Sequence, residues 1–85
     1  MTEPMLAAVL DGRVVILDIR QARVLLLDPR TERIWHTCTG LTSEAIAGIV
    51  REAPADVTRT LDELAAAGLI SLDRDRWNQA HVTWI

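Results

Sequence analysis

The spacing of apolar residues changes once along this 85-residue chain, at Asp28 and Pro29, and this change limits the folds that the chain can adopt. Before it, apolar residues form three runs of strand length joined by short polar connections. Connections this short join antiparallel strands, because a parallel crossover needs about a dozen residues or more. The Asp11-Gly12 dipeptide between the first two runs is typical of a tight hairpin turn. We therefore predict a three-stranded antiparallel sheet formed by residues 5–10, 14–17 and 24–27.

Apolar residues after Pro29 recur at helical spacing and predict three helices. Asp28 can cap the free backbone N–H groups of the first helix, and Pro29 is tolerated at its first position. Gly40 ends that helix, and Thr42 can cap the second. The residues expected to be buried are Ile34, Trp35 and Cys38 in the first helix and Ile46, Ile49 and Val50 in the second.

The third helix is predicted over residues 55–67. Val57, Leu61 and Leu64 fall on one face of it at helical spacing, which is the usual pattern of a packed face. Gly68 is expected to take the left-handed conformation that ends a helix.

Three strands followed by three helices predict an α+β fold with a winged helix-turn-helix-like arrangement. A single domain is expected over residues 1–72, since a chain of this length suits one core. Residues 73–85 are more polar and alternate weakly, so they are expected to form a C-terminal tail or a short returning strand. Trp77 and Trp84 have no evident core to join in that segment, and both are candidates for contact with a partner enzyme.

The composition predicts a globular cytoplasmic protein that binds neither membranes nor nucleic acid. Hydrophobic residues make up 49% and charged residues 25% of the chain. The net charge is −3, and the nine basic residues, all arginine, are scattered from Arg13 to Arg76 without a cluster. A surface that follows phosphates needs a basic face. The single cysteine suits a reducing compartment, and the chain lacks both a signal-peptide pattern and an apolar run long enough to cross a bilayer.

The sequence contains no pattern that indicates catalysis or a cofactor. Paired carboxylates, a nucleophile with a base and a glycine-rich phosphate loop are not recognisable. His36 and Cys38 are two positions apart, so on a helix they point to different faces and do not share a metal ion. We therefore predict a protein that is not an enzyme, with no catalytic residues, no metal and no cofactor.

Four short segments, in this order and spacing, resemble the PqqD-like family, the leader-recognition elements of systems that make ribosomally synthesised, modified peptides. They are Leu27-Asp28-Pro29, Ile34-Trp35, Gly40-Leu41-Thr42 and Leu64-Ala65-Ala66-Ala67-Gly68-Leu69-Ile70. The resemblance covers about residues 13–70. Two positions depart from it: Asp28 replaces the usual asparagine, and Arg20-Gln21-Ala22 stands where family members often carry a glycine.

The resemblance implies that the chain binds the leader segment of a precursor peptide and presents it to a processing enzyme. The leader would add as an antiparallel strand beside the third strand, in a groove between that strand and the third helix. Because residues 24–27 are apolar at every position, we also expect both faces of that strand to be covered. The residues implied in peptide binding are Arg23, Val24, Leu25, Leu26, Leu27, Asp28, Val57, Thr60, Leu61 and Leu64.

Three interpretations of the function of this chain remain open. The preferred one is lasso-peptide biosynthesis, in which a free-standing recognition protein works with a separate cysteine peptidase. The second is pyrroloquinoline quinone biosynthesis, in which the corresponding protein is a peptide chaperone for a radical enzyme. The third is a DNA-binding winged helix, which the acidic third helix disfavours because it carries Asp56, Asp62 and Glu63 against Arg59.

Overall fold

The computed structural model describes residues 5–85 and has an α+β fold with three helices, as the sequence predicted. The strands are β1 (Met5–Leu10), β2 (Arg13–Asp18), β3 (Arg23–Leu27), β4 (Ile70–Asp73), β5 (Arg76–Gln79) and β6 (Val82–Trp84). The helices are α1 (Pro29–Thr37), α2 (Ser43–Val50) and α3 (Pro54–Ala66). None of these helices is long and apolar enough to span a bilayer.

The chain divides into two compact units, and the boundary falls within α1. One unit contains the residues up to Glu32 together with His81–Ile85, and the other is Arg33–Ala80. The predicted domain boundary after residue 72 lies inside β4, which pairs with β5 within the second unit.

The first unit is built on a four-stranded sheet with the strand order β3-β2-β1-β6. Strands β1, β2 and β3 form the predicted antiparallel meander. The sheet has one strand more than the three predicted, because β6 adds a fourth beside β1, in parallel, with Met5 opposite Val82; of the two alternatives left open for residues 73–85, this is the returning strand. The backbone N–H of Ile85 extends this edge by donating to the carbonyl O of Ala7 at 2.8 Å. The weak alternation of residues 81–85 does not indicate which distant strand they pair with.

The caps of the second unit follow local sequence signals. Thr42 caps α2, and its side chain accepts a hydrogen bond from the N–H of Ala45 at 3.2 Å. After α3, Gly68 adopts φ 81° and the N–H of Leu69 donates to the carbonyl O of Leu64 at 3.0 Å, the pattern of a Schellman cap. The predicted cap of α2 is confirmed, and the bounds predicted for α3, residues 55–67, agree with the structure to within one residue.

The core of the second unit differs from the prediction on α2. Ile46, Ala47 and Val50 are buried, whereas Ile49 is exposed and its predicted burial was wrong. The buried stripe is centred between Ile46 and Ala47, and this places Ile49 on the flank of the helix. Trp35 is buried as predicted, and its indole N–H donates to the carbonyl O of Leu69 at 3.1 Å.

Candidate functional site

Strand β3 is an edge strand of the four-stranded sheet. In the part of the chain that the structure describes, its only strand neighbour is β2, with Ile16 opposite Leu25 and Val15 opposite Leu26. An edge strand directs alternate N–H and C=O groups away from its neighbour, where they can pair with another extended chain.

The hairpin between β1 and β2 determines which groups of β3 face outward. Asp11 and Gly12 both have positive φ, 52° and 75°, as a two-residue type I′ turn requires, so Leu10 and Arg13 form the hydrogen-bonded pair that closes it. The backbone groups of β2 then point alternately to β1, starting from Arg13, and to β3.

Applied to β3, this alternation makes Ile16 and Leu25 a hydrogen-bonded pair. Leu26 lies opposite Val15, and Val24 lies opposite Leu17, in the non-hydrogen-bonded positions. The N–H and C=O groups of Val24 and Leu26 therefore point away from β2, to the outer edge of the sheet.

The side chains of β3 alternate in burial although its residues 24–27 are all apolar. Leu25 is half-buried and Leu27 is buried, whereas Val24 is 67% exposed and Leu26 is 59% exposed. The expectation that both faces of β3 are covered was wrong for this chain alone: one face is covered and the other carries exposed apolar side chains.

Arg23 and Asp18 close the turn between β2 and β3. Arg23 Nη2 lies 3.1 Å from Asp18 Oδ2, and the N–H of Gln21 donates to Asp18 Oδ1 at 3.3 Å. Ala22 takes the left-handed φ of 53° in this turn, within the Arg20-Gln21-Ala22 segment. The Asp18 carboxylate is buried and forms an ion pair with Arg23. Arg23 therefore stabilises the turn between β2 and β3 within the chain itself.

Asp28 follows β3 directly and acts as the cap of α1. Its Oδ1 accepts a hydrogen bond from the backbone N–H of Thr31 at 2.7 Å. This bond is the main reason why the pKa of the Asp28 carboxyl lies below its ordinary value, and the Thr31 hydroxyl adds to the effect. The predicted helix cap is therefore confirmed. Capping of α1 alone explains why an aspartate stands at position 28.

The predicted peptide-binding residues of α3 lie in the second unit and are buried. They are Val57, Thr60, Leu61 and Leu64. The hydroxyl of Thr60 donates back to the carbonyl O of Asp56 at 3.2 Å. These side chains are therefore core residues of the second unit. The predicted peptide-binding residues of β3 belong to the first unit.

The two tryptophans of the C-terminal segment have different environments. Trp77 lies in β5 and is only 4% exposed, so the expectation of an exposed side chain was wrong for it. Its backbone forms a β-bridge to Leu41, and no local sequence pattern indicates this pairing. Trp84 lies in β6 opposite Ala7 and is exposed.

The described residues contain no group of three or more His, Cys, Asp or Glu side chains that could hold a metal ion. Cys38 is buried, and burial raises the pKa of its thiol. An open cleft of about 370 Å³ lies beside the first turn of α2. Its lining contains hydroxyl, carboxylate and apolar side chains but no histidine: Thr42, Ser43, Glu44, Leu72, Asp75 and Trp77.

Sequence reasoning missed the exposed apolar residues next to β3. Leu17 on β2 is 38% exposed and lies opposite Val24. The alternation of buried Val14 and Ile16 with Val15 and Leu17 assigns Leu17 to the same face as Val24, but only the strand register makes this visible.

Comparison with known protein families, curated proteins and solved structures finds no match to this chain.

Proposed function

We propose that the chain is a PqqD-like leader-recognition domain, which binds an extended segment of a precursor peptide beside β3 and presents it to a separate processing enzyme. The observation that carries this proposal is the edge of β3, where Val24 and Leu26 direct their backbone groups outward and expose their side chains. Strand addition obtains affinity from backbone pairing and specificity from alternate side chains.

Residues 24–27, the apolar part of the β3 edge, lack the usual features that prevent strand pairing. Proteins protect exposed edges with proline, lysine, bulges or very short strands. Residues 24–27 contain none of these residues and pair with β2 in continuous register. The opposite edge of the sheet is β6, which has three residues only. An apolar edge of this kind favours a function in which the protein binds an extended peptide.

We propose a winged helix-turn-helix-like arrangement for the second unit, as the resemblance to the PqqD-like family implies, and the order of its elements is compatible with it. Helices α2 and α3 are joined by a short connection, and the β4–β5 hairpin follows α3 in the place of a wing. A bridge between Leu41 and Trp77 joins the connection before α2 to this hairpin.

The same order of elements keeps a DNA-binding winged helix as the alternative, and the charges on α3 disfavour it. Asp56, Asp62 and Glu63 are exposed on α3, and Arg59 binds Asp56 at 2.7 Å. A helix that enters the major groove needs basic or neutral side chains near the phosphates.

The processing enzyme is proposed to be a separate cysteine peptidase of lasso-peptide biosynthesis, with the radical enzyme of pyrroloquinoline quinone biosynthesis as the alternative. The chain itself supplies recognition and no chemistry. Trp84 is the exposed aromatic residue proposed for the contact with the enzyme. The genes beside this one distinguish the two settings, because a peptidase and an ATP-dependent cyclase accompany the first and a radical enzyme the second.

The test is a binding titration with synthetic peptides that cover the N-terminal segments of the short open reading frames beside this gene, labelled and followed by fluorescence anisotropy. We expect saturable binding to the parent protein and strongly reduced binding to Leu26→Pro, which loses an outward N–H. Binding that is unchanged in Leu26→Pro, or the absence of binding, would contradict the proposal. Binding of random duplex DNA that weakens steeply with added salt would favour the DNA-binding alternative.

A further inference from the structure

The outer face of the four-stranded sheet, defined as the face that carries Val24 and Leu26, has two apolar rows that run across the strands. Each row follows residues that lie opposite one another in the register. One row consists of Leu6, Leu17 and Val24, and the other of Ala8, Val15 and Leu26.

Exposure along both rows is greatest at the β3 edge. In the first row, Leu6 is half-buried, Leu17 is 38% exposed and Val24 is 67% exposed. In the second row, Val15 is half-buried whereas Leu26 is 59% exposed. Neighbouring strands shelter the inner members of each row, whereas among residues 5–85 Val24 and Leu26 have such a neighbour on one side only. The rows therefore lack a member on the far side of β3.

The position of the exposed side chains favours a peptide strand over a second copy of the chain stacked on the face. Within the two rows, exposure is concentrated at Val24 and Leu26, whose backbone groups also point outward, so the uncovered apolar surface and the unpaired strand edge coincide. An added strand fits better, because its outward side chains would lie directly opposite Val24 and Leu26 and extend both rows.

We propose that the peptide segment bound at β3 carries apolar side chains at two positions, i and i+2, that pack on the outer face against Val24 and Leu26. This inference rests on the proposed function and specifies its ligand. Backbone pairing with the outward groups of Val24 and Leu26 places the two peptide residues opposite these side chains. Residue i+1 then lies on the other face, beside Leu25. β-Branched, aliphatic and aromatic side chains are the types that stabilise such cross-strand pairs.

The experiment selects binders from a displayed library of random 12-residue peptides on three proteins. These are the parent chain, the double variant Val24→Thr/Leu26→Thr, and the control Leu72→Thr, which alters a 55% exposed leucine on β4. Threonine keeps strand propensity and the backbone N–H but removes apolar contact. We expect peptides selected on the parent to share apolar residues at spacing i, i+2.

We further expect those peptides to bind the double variant about tenfold more weakly and the control unchanged, because each cross-strand pair contributes up to about fivefold. Replacing both apolar peptide residues by serine should cause a similar loss on the parent and little further loss on the double variant.

Three results would overturn the inference, and they are distinguishable. If the selected peptides lose binding to Leu26→Pro but bind Val24→Thr/Leu26→Thr as tightly as the parent, strand addition stands and the outer-face pairing is wrong. If no selected peptide is sensitive to Leu26→Pro, the proposed function fails as well. If light scattering finds a dimer that Val24→Thr/Leu26→Thr dissociates and that no selected peptide displaces, the face belongs to a second copy.

Discussion

The indole Nε1–H of Trp77 donates a hydrogen bond to Ser43 Oγ at 2.9 Å, and this contact joins β5 to the first turn of α2. The backbone of Trp77 is held as firmly, since its N–H donates to the carbonyl O of Leu41 at 2.8 Å and its carbonyl O accepts from the N–H of Gly40 at 2.7 Å. A residue in a polar segment near the C-terminus is therefore a core residue of the second unit.

Replacing Ser43 by alanine should lower the free energy of unfolding by about 1 kcal/mol, because the indole N–H of the buried residue Trp77 loses its acceptor in a part-buried hydrogen bond. Urea titration followed by circular dichroism measures the effect. Ser71→Ala, at an exposed position of β4, is the matched control and should change stability little. Equal stability of Ser43→Ala and Ser71→Ala would show that the Trp77–Ser43 bond does not contribute.

Two glycine substitutions should have opposite effects on stability. Gly48 lies within α2 with no atom near the position of an added Cβ, so Gly48→Ala should stabilise the protein by about 0.5–1 kcal/mol. Gly68 has φ 81° in the cap after α3, so Gly68→Ala should destabilise it by about 1 kcal/mol. Thermal unfolding of the two variants side by side tests both, and a shift of the same sign in both variants would contradict the assigned backbone conformations.

The contribution of Asp28 to stability should disappear in acid. The pKa of Asp28 is lowered in the folded chain, so its stabilisation is fully present above the unfolded-state pKa and is lost as the pH falls through the folded-state pKa, below about pH 4. Asp28→Ala should therefore cost about 1 kcal/mol at pH 7 and much less near pH 2.5. Urea titrations at the two pH values measure this difference. A cost that is the same at both would mean that the ionised carboxylate is not the cap.

The features predicted well from the sequence are those with a local cause. Asp28 and Thr42 are caps because a short polar side chain precedes a helical pattern, and Gly68 ends α3 because few residues other than glycine adopt its conformation. Element order and the α+β class follow from the same local patterns.

The features that were missed depend on distant partners. The pairing of β6 with β1 and the burial of Trp77 join segments far apart in the chain, and no local pattern reports them. The all-apolar run of residues 24–27 could not reveal which of its side chains are exposed. That distinction depends on the register of β3 against β2, which the connection between these two strands determines.

Single proline substitutions at Leu25 and Leu26 should give different results. Leu25→Pro removes an N–H that pairs with β2, so it should unfold or strongly destabilise the first unit. Leu26→Pro removes an outward N–H and should keep the circular dichroism spectrum of the parent while losing most of its leader affinity. Leu26→Thr, which keeps the N–H, separates the loss of the backbone bond from the loss of the side chain. A folded Leu25→Pro together with an unfolded Leu26→Pro would reverse the assigned register.

Amide hydrogen exchange at three consecutive residues of β3 tests strand addition most directly. In the free protein, NMR should find slow exchange at Leu25 and fast exchange at Val24 and Leu26. Saturation with the leader segment, or with a selected 12-residue peptide, should slow exchange at Val24 and Leu26 by more than about tenfold, which corresponds to about 1.4 kcal/mol of protection, and leave Leu25 little changed. Tight peptide binding that leaves the exchange of Val24 and Leu26 as fast as in the free protein would contradict strand addition at β3.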